Sequence, residues 1–191
     1  MEDISPLQIL QNSLLGAPII WKGDYPYFIH PISDGVPRME AKVLQATRDL
    51  IVDSVDWDKI DLIVSVEAMG LPLLAAVGEA TGKPTVVIRK RSYGMKGEVR
   101  VDVATGYSES TVYINDISPG ERILIVDDVI STGGTLEPIL ETLENMGVVL
   151  QDIVIAIEKG DGKSRLAIKK PNWPIRTLAK IDIIDGKVEI I

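Results

Sequence analysis

Asp127 and Asp128 stand side by side directly after Ile123, Leu124, Ile125 and Val126, and the chain then runs through Ser131, Thr132, Gly133, Gly134 and Thr135 to Leu136. A short, β-branched apolar run of this kind is expected for a strand buried on both faces of a parallel sheet. The carboxylates then fall at its carboxyl end, where open α/β sheets place their ligands. The polar turn that follows supplies hydroxyls and side-chain-free backbone at the mouth of a helix, an arrangement that directs several N–H groups at one phosphate. Singly, an Asp pair ends a strand and a Thr caps a helix in many proteins. As one ordered string, these residues point to a phosphate-bearing ligand.

Three other segments bear on that chemistry. Glu67, Ala68, Met69 and Gly70 follow the apolar run Leu62, Ile63, Val64, Ser65, Val66 and open a helix over about 71–80. This second strand-to-helix turn offers amides and a helix N-terminus to an anion, worth ~0.3 to 1 kcal/mol per exposed charge. Arg89, Lys90 and Arg91 close the next strand, at 85–88, and form the densest basic cluster of an acidic chain. At the ligand edge of a sheet they supply counter-charge for phosphates. Gly160, Asp161, Gly162, Lys163 and Ser164 also follow a strand, but Ile157 stands where a P-loop needs its first glycine. That segment is read as a Gly-rich turn leading into 165–169.

The elements that must position these residues are legible from periodicity. Leu7, Leu10, Leu14 and Leu15 recur at helical spacing, as do Val43, Leu44, Thr47, Leu50, Ile51 and Val55. Residues 21–37, rich in Pro, Gly and aromatics, read as an ordered loop or short hairpin. The helix opened by Leu136 carries Glu137 and Pro138 in its first turn and Gly147 beyond its end. Further strands are expected at 153–157 and 177–181. Strands alternating with helices predict one α/β domain over 1–191, a doubly wound, mainly parallel sheet with helices on both faces and right-handed crossovers. The long connection over 92–115 holds three glycines and alternating Val99, Val101 and Val103, the pattern of a binding loop or an edge β-hairpin.

Composition excludes several classes. The 191 residues are 46% hydrophobic and 25% charged, ordinary values for a globular chain. A net charge of -8 and a pI near 4.7 oppose non-specific binding to nucleic acid or anionic lipid. With no cysteine there are no disulfides, thiolate metal sites or cysteine nucleophiles. The acidic start Met1, Glu2, Asp3 lacks the basic and apolar regions of a secretory signal, and no apolar run reaches membrane-span length. A soluble, cytoplasmic protein with small-molecule substrates and neither a nucleic-acid nor a membrane partner is expected.

The string V-D-D-V-I-S-T-G-G-T resembles the phosphoribosyl-pyrophosphate (PRPP) motif of the type I phosphoribosyltransferases, in the form used by enzymes acting on purines. The resemblance implies that Asp127 and Asp128 hold the ribose hydroxyls and are the catalytic carboxylates, and that Ser131, Thr132, Gly133, Gly134 and Thr135 wrap the 5-phosphate. E-A-M-G resembles the family's pyrophosphate loop, so Glu67, Ala68, Met69 and Gly70 join the PRPP site, with Met69 where adenine enzymes usually carry arginine. Arg89 and Lys90 match a basic pair set against PRPP. The 92–115 segment resembles the family's flexible hood, a loop at about 92–111 on which Tyr93, Lys96 and Tyr107 are candidates for closing over substrate. The implied reaction is displacement of pyrophosphate from ribose C1 by a nucleobase nitrogen, with Mg²⁺ carried by PRPP rather than held by protein ligands. A homodimer is the implied assembly.

Base choice is divided. Many six-oxopurine enzymes have an aspartate where this motif has Ser131, which makes the motif look adenine-like. The wider chain, notably Y-F-I-H-P-I-S-D-G-V-P, R-K-R-S-Y-G, V-A-T-G-Y-S and L-A-K-I-D-I-I-D-G-K-V, resembles the archaeal hypoxanthine/guanine phosphoribosyltransferase subfamily. Hypoxanthine with guanine is the expected base pair of substrates, adenine the alternative, and a non-catalytic PRPP-binding regulator a reading from another class. Phe28, Val129 and Ile130 are candidates for contact with the base. His30, the one histidine, is read as structural.

Overall fold

A computed structural model describes residues 4–23, 25–104 and 109–191. The chain opens with α1 (Pro6–Leu15), started by a capping box in which Ser5 Oγ accepts from the Gln8 amide and the Gln8 side chain accepts from the Ser5 amide. Next come an antiparallel hairpin of β1 (Ile19–Lys22) and β2 (Tyr25–Phe28), a single turn α2 (Pro31–Asp34), and α3 (Ala41–Ser54). The hairpin takes up part of the segment predicted as an ordered loop or short hairpin.

β3 (Leu62–Val66) is buried throughout and leads to α4 (Gly70–Thr81), which Gly82 ends in the left-handed conformation with φ 66°. Then follow β4 (Thr85–Ile88), the hairpin β5 (Val99–Ala104) and β6 (Glu109–Ile114), β7 (Arg122–Ile130) and α5 (Leu136–Asn145). The chain closes with β8 (Val149–Lys159), α6 (Gly162–Lys169), β9 (Ile175–Ile184) and β10 (Lys187–Ile190).

The central sheet has the order β10-β9-β8-β7-β3-β4, parallel except for β10, which lies antiparallel on β9. That antiparallel edge lies beyond the predicted elements. Two cores sandwich the sheet. On one face Leu124, Val126 and Ile63 meet α1, α3 and α4 through Leu10, Leu14, Ile51, Leu73 and Val77. On the other Ile123, Ile125 and Val64 meet α5 through Ile139, Leu140 and Leu143. The β5–β6 hairpin belongs to this second core, with Val101, Val103, Val112 and Ile114 buried in it. The strands of the segment read as a binding loop or edge β-hairpin thus place four apolar side chains in the core.

Strand order reverses between β3 and β7, so the carboxyl ends of these two strands frame the crevice in which open α/β sheets bind ligands. β7 differs from expectation in length. It continues through Asp127 and Asp128 to Ile130 because β8 supplies partners as far as Ile130 opposite Glu158. On its other side, pairing with β3 stops at Ile125 opposite Val64. The carboxylates thus sit inside a strand, at the point where it loses one neighbour. That one-sided pairing opens the crevice beside them.

Candidate active site

A cavity of about 570 Å³ lies at this crevice. Its floor is the predicted string: Asp127 and Asp128, then Ser131 through Thr135, all lining it. The turn's shape follows from backbone packing. Gly133 has φ 78°, which a side chain strains. A Cβ on Gly134 would lie 2.0 Å from the carbonyl oxygen of Ala104 at the end of β5, whose amide donates to Gly134 O at 3.3 Å. Thr135 precedes α5 without capping it through its side chain; of the first-turn positions, the Glu137 amide donates to Gly133 O at 2.9 Å and Pro138 has no N–H.

The Gly-rich segment set aside as a failed P-loop is the support under this turn. The Gly162 amide donates to Ser131 O at 2.8 Å. A Cβ on Gly162 would approach Ser131 O to 2.3 Å and Gly133 N to 2.7 Å. Leu166, one turn along α6, packs beneath Gly133, and Arg165 Nη1 donates to Thr132 O at 3.4 Å. Sequence periodicity places no weight on Gly162, because its partners lie some thirty residues away.

Asp127 and Asp128 are half-buried and adjacent, with the Asp128 amide donating to Asp127 Oδ1 at 3.0 Å. Burial pushes the Asp127 carboxyl up to about 6. Burial and the neighbouring Asp127 charge hold Asp128 well above the usual carboxylate range. Hydroxyl donors entering the cavity would favour the charged form of both acids.

Glu67, Ala68, Met69, Gly70, Arg89 and Lys90 do not line this cavity; they gather at the neighbouring ends of β3 and β4. Glu67 Oε2 accepts from Arg89 Nε and from the Lys90 amide, each at 2.9 Å. The Lys90 amide and the Arg89 charge hold the Glu67 carboxyl below its ordinary range, against desolvation. Arg89 is also fixed by backbone pairing with Tyr113. Gly70 joins the two groups. A Cβ there would lie 1.9 Å from Ser65 Oγ and 2.7 Å from Asp127 Oδ1, so α4 begins against the carboxylate only because residue 70 has no side chain. Tyr93 and Lys96 are exposed on the connection between β4 and β5, where Arg91 Nε donates to Tyr93 Oη at 3.0 Å. Tyr107 lies outside the described residues.

The cavity lining also takes in the base candidates: Phe28 and Ile130 are core residues, Val129 packs against the core, and Val129 and Ile130 belong to the floor strand itself. It also holds polar residues absent from the sequence reading: Lys22, Tyr25, Tyr27, Ser33 and Lys159. Lys159 is the last residue of β8 and only 6% exposed. Its ammonium donates to Pro26 O at 2.5 Å and lies 3.8 Å from the centroid of the Tyr25 ring. Lys22 covers the Tyr27 ring at 3.7 Å. A polar residue at the carboxyl end of an apolar strand was the clue that singled out Asp127, and it applies equally to Lys159. Next to it, Glu158 is buried by different partners: Thr177 Oγ1 at 2.8 Å, Lys180 at 3.3 Å and Lys163 at 3.4 Å. Among the described residues no group of three or more His, Cys, Asp or Glu is gathered to hold a metal ion.

Residues 36–182 match the model of the phosphoribosyl transferase domain. The chain belongs to the phosphoribosyltransferase family. It is 47% identical to the hypoxanthine/guanine phosphoribosyltransferase of Methanotorris igneus, over 96% of this chain and all of that protein. It is 46% identical to the protein of the same name from Methanocaldococcus infernus, over 95% of this chain and 98% of the relative. Among solved structures, adenine phosphoribosyltransferase from Saccharomyces cerevisiae superposes with a TM-score of 0.74 at 24% identity, covering 91% of this chain and 98% of that one. The enzyme of that name from Thermoanaerobacter pseudethanolicus gives 0.75 at 23%, covering 91% and 99%. At such identities the likeness is one of fold. This phosphoribosyltransferase keeps the family's mainly parallel α/β sheet.

Proposed function

We propose that this phosphoribosyltransferase transfers the 5-phosphoribosyl group from PRPP to hypoxanthine and guanine. The observation that carries the choice of base is Lys159. An ammonium has donors only, so a buried one at the base cavity suits the acceptor O6 of a six-oxopurine and opposes the donor amine of adenine. The Ser131 clue toward adenine is weaker, because the Ser131 hydroxyl is engaged with Tyr25 Oη at 3.0 Å.

In this reading Asp127 and Asp128 accept hydrogen bonds from the ribose hydroxyls and face the positive charge that builds at C1. The amides and hydroxyls of the turn from Ser131 to Thr135 hold the 5-phosphate, and the Glu67 to Gly70 turn with the α4 N-terminus faces the pyrophosphate. The purine N9 forms the new bond to C1 as the bond from C1 to the pyrophosphate oxygen breaks, and the N9 proton leaves with solvent or pyrophosphate. Mg²⁺, entering with PRPP, neutralises the leaving group. The protein's contribution is positioning and electrostatics.

The test is a competition assay with PRPP, Mg²⁺ and equal hypoxanthine and adenine. IMP is expected to dominate by at least about a hundredfold, within the ~10⁴-fold that a site built on hydrogen bonds reaches. Lys159→Met should cost hypoxanthine about 10- to 200-fold in kcat/KM, the worth of one charged hydrogen bond. Dominance of AMP overturns the reading.

A further inference from the structure

The wall facing the cavity beside Lys159 contains two hydroxyls, Tyr27 and Ser33, and both are directed by one carboxylate. Tyr27 Oη donates to Asp34 Oδ1 at 2.6 Å, and Ser33 Oγ donates to Asp34 Oδ2 at 2.6 Å. The same Oδ2 accepts the His30 amide at 3.1 Å, which fixes the carboxylate at the end of α2. Ser33 Oγ also lies 3.2 Å from His30 O, a second acceptor on the same side. A hydroxyl has one proton, and a carboxylate accepts only. Both protons are therefore drawn toward Asp34, and whatever meets these two oxygens from the cavity must donate to them.

We infer that Asp34 is a positioning residue that sets the polarity of the base wall. It makes Ser33 and Tyr27 acceptors, so that the site pairs a donor, Lys159, with acceptors. The ligand edge that fits is an oxo group beside ring and exocyclic N–H groups, which hypoxanthine presents in part and guanine in full. The inference rests on the six-oxopurine reading and adds to it which residue enforces the N–H edge. Asp34 touches no substrate in this scheme; it acts through the hydroxyls.

Asp34→Asn separates polarity from packing. The His30 amide still needs an acceptor, which keeps the new amide oxygen at the Oδ2 position and places the amide nitrogen at Tyr27. The tyrosine hydroxyl must then accept, and its proton turns away. Measured with PRPP and Mg²⁺, Asp34→Asn is expected to raise KM for guanine and hypoxanthine about 10-fold or more, to leave KM for PRPP within about twofold, and to narrow the preference over adenine. Ser33→Ala removes one acceptor without reversing the other, and should weaken guanine more than hypoxanthine. It serves as the second arm if the Asn variant does not fold. Equal losses for all three bases and for PRPP overturn the inference and leave Asp34 a packing residue. Unchanged base ratios in both variants overturn it as well, while wild-type preference for hypoxanthine still upholds the broader reading. A wild-type enzyme that prefers adenine ends both, and the wild-type measurement alone reveals that.

Discussion

The cradle of residues 127–135 comes from one contiguous stretch and is shaped by backbone packing, whereas the wall opposite draws Lys22, Tyr25, Tyr27, Ser33 and Lys159 from three separate segments and is shaped by side-chain hydrogen bonds. In the cradle, the positive φ of Gly133 and the close approaches at Gly134 and Gly162 leave no room for a Cβ. On the base wall, Asp34, Pro26 O and two aromatic rings hold hydroxyls and ammoniums in place. A part held by backbone contacts has one shape, which suits the invariant half of a substrate. A part held by side chains can change its hydrogen-bonding sense with one substitution, which suits the half that must discriminate between bases.

The largest effect should come from the cradle's charges. Replacing both Asp127 and Asp128 with Asn removes two charged hydrogen bonds worth ~1.5 to 3 kcal/mol each, about 10² to 10⁴ in kcat/KM if they act independently. The fold should gain. Since burial disfavours the ionised forms, the double variant is expected to melt higher than the wild type at pH 7.5, by a few degrees on the scale of ~2 to 4 °C per kcal/mol for a chain of this size. Steady-state kinetics beside thermal melts check both halves. Retained activity, or a melting temperature that falls with activity, removes these residues from the ribose site.

That cradle was legible in the sequence because its chemistry is consecutive: an apolar run, two acids, and a hydroxyl- and glycine-rich turn announce themselves within fourteen residues. The strands and helices around it were legible for the same reason, since periodicity is local. β7 outran its predicted end because pairing with β8, a tertiary effect, carries it past the carboxylates. Lys159 and Gly162 were missed because their roles depend on contacts with Tyr25, Pro26 and Ser131, none of them near in sequence. Ser33 and Tyr27 were missed because their meaning lies in the direction of a proton toward Asp34, which no spacing encodes.

A smaller effect sharpens the contrast between the two walls. Gly162→Ala forces a methyl against Ser131 O and Gly133 N, an overpacking that costs ~1 to 3 kcal/mol. The methyl would meet the backbone of the turn itself, so the strain should appear as a rise of about 5- to 100-fold in KM for PRPP, with KM for the base nearly unchanged. Ser33→Ala should give the reverse pattern. If Gly162→Ala moved both constants equally, the support of the phosphate turn by α6 would not be specific to the phosphate side.

Acid should act on the two regions with opposite sign, and this is the smallest effect of the set. His30 caps α2 behind the base wall, its Nδ1 accepting from the Ile32 amide at 3.2 Å and its Nε2 lying 3.1 Å from Ser13 Oγ. Burial lowers it from 6.5 to about 4, overriding the attraction of Asp34. Between those values the unfolded chain binds the proton first, so stability falls as pH drops, by about 2 kcal/mol at pH 5. Asp127 runs the other way: raised from 3.8 to about 6, it takes up its proton in the folded state first and adds stability as pH drops through 6, by about 1 kcal/mol after allowance for its partial exposure. The His30 loss is the larger, so the pair leaves the wild type with a shallow net fall in stability toward pH 5. His30→Asn, which keeps a side chain able to cap α2, should remove the loss and leave melting temperature flat or rising from pH 7.5 to 5. Asp127→Asn should steepen the fall over the same range. Parallel melting curves of the three proteins between pH 7.5 and 5 decide it, because equal slopes would mean that neither group titrates in the folded protein as its surroundings require.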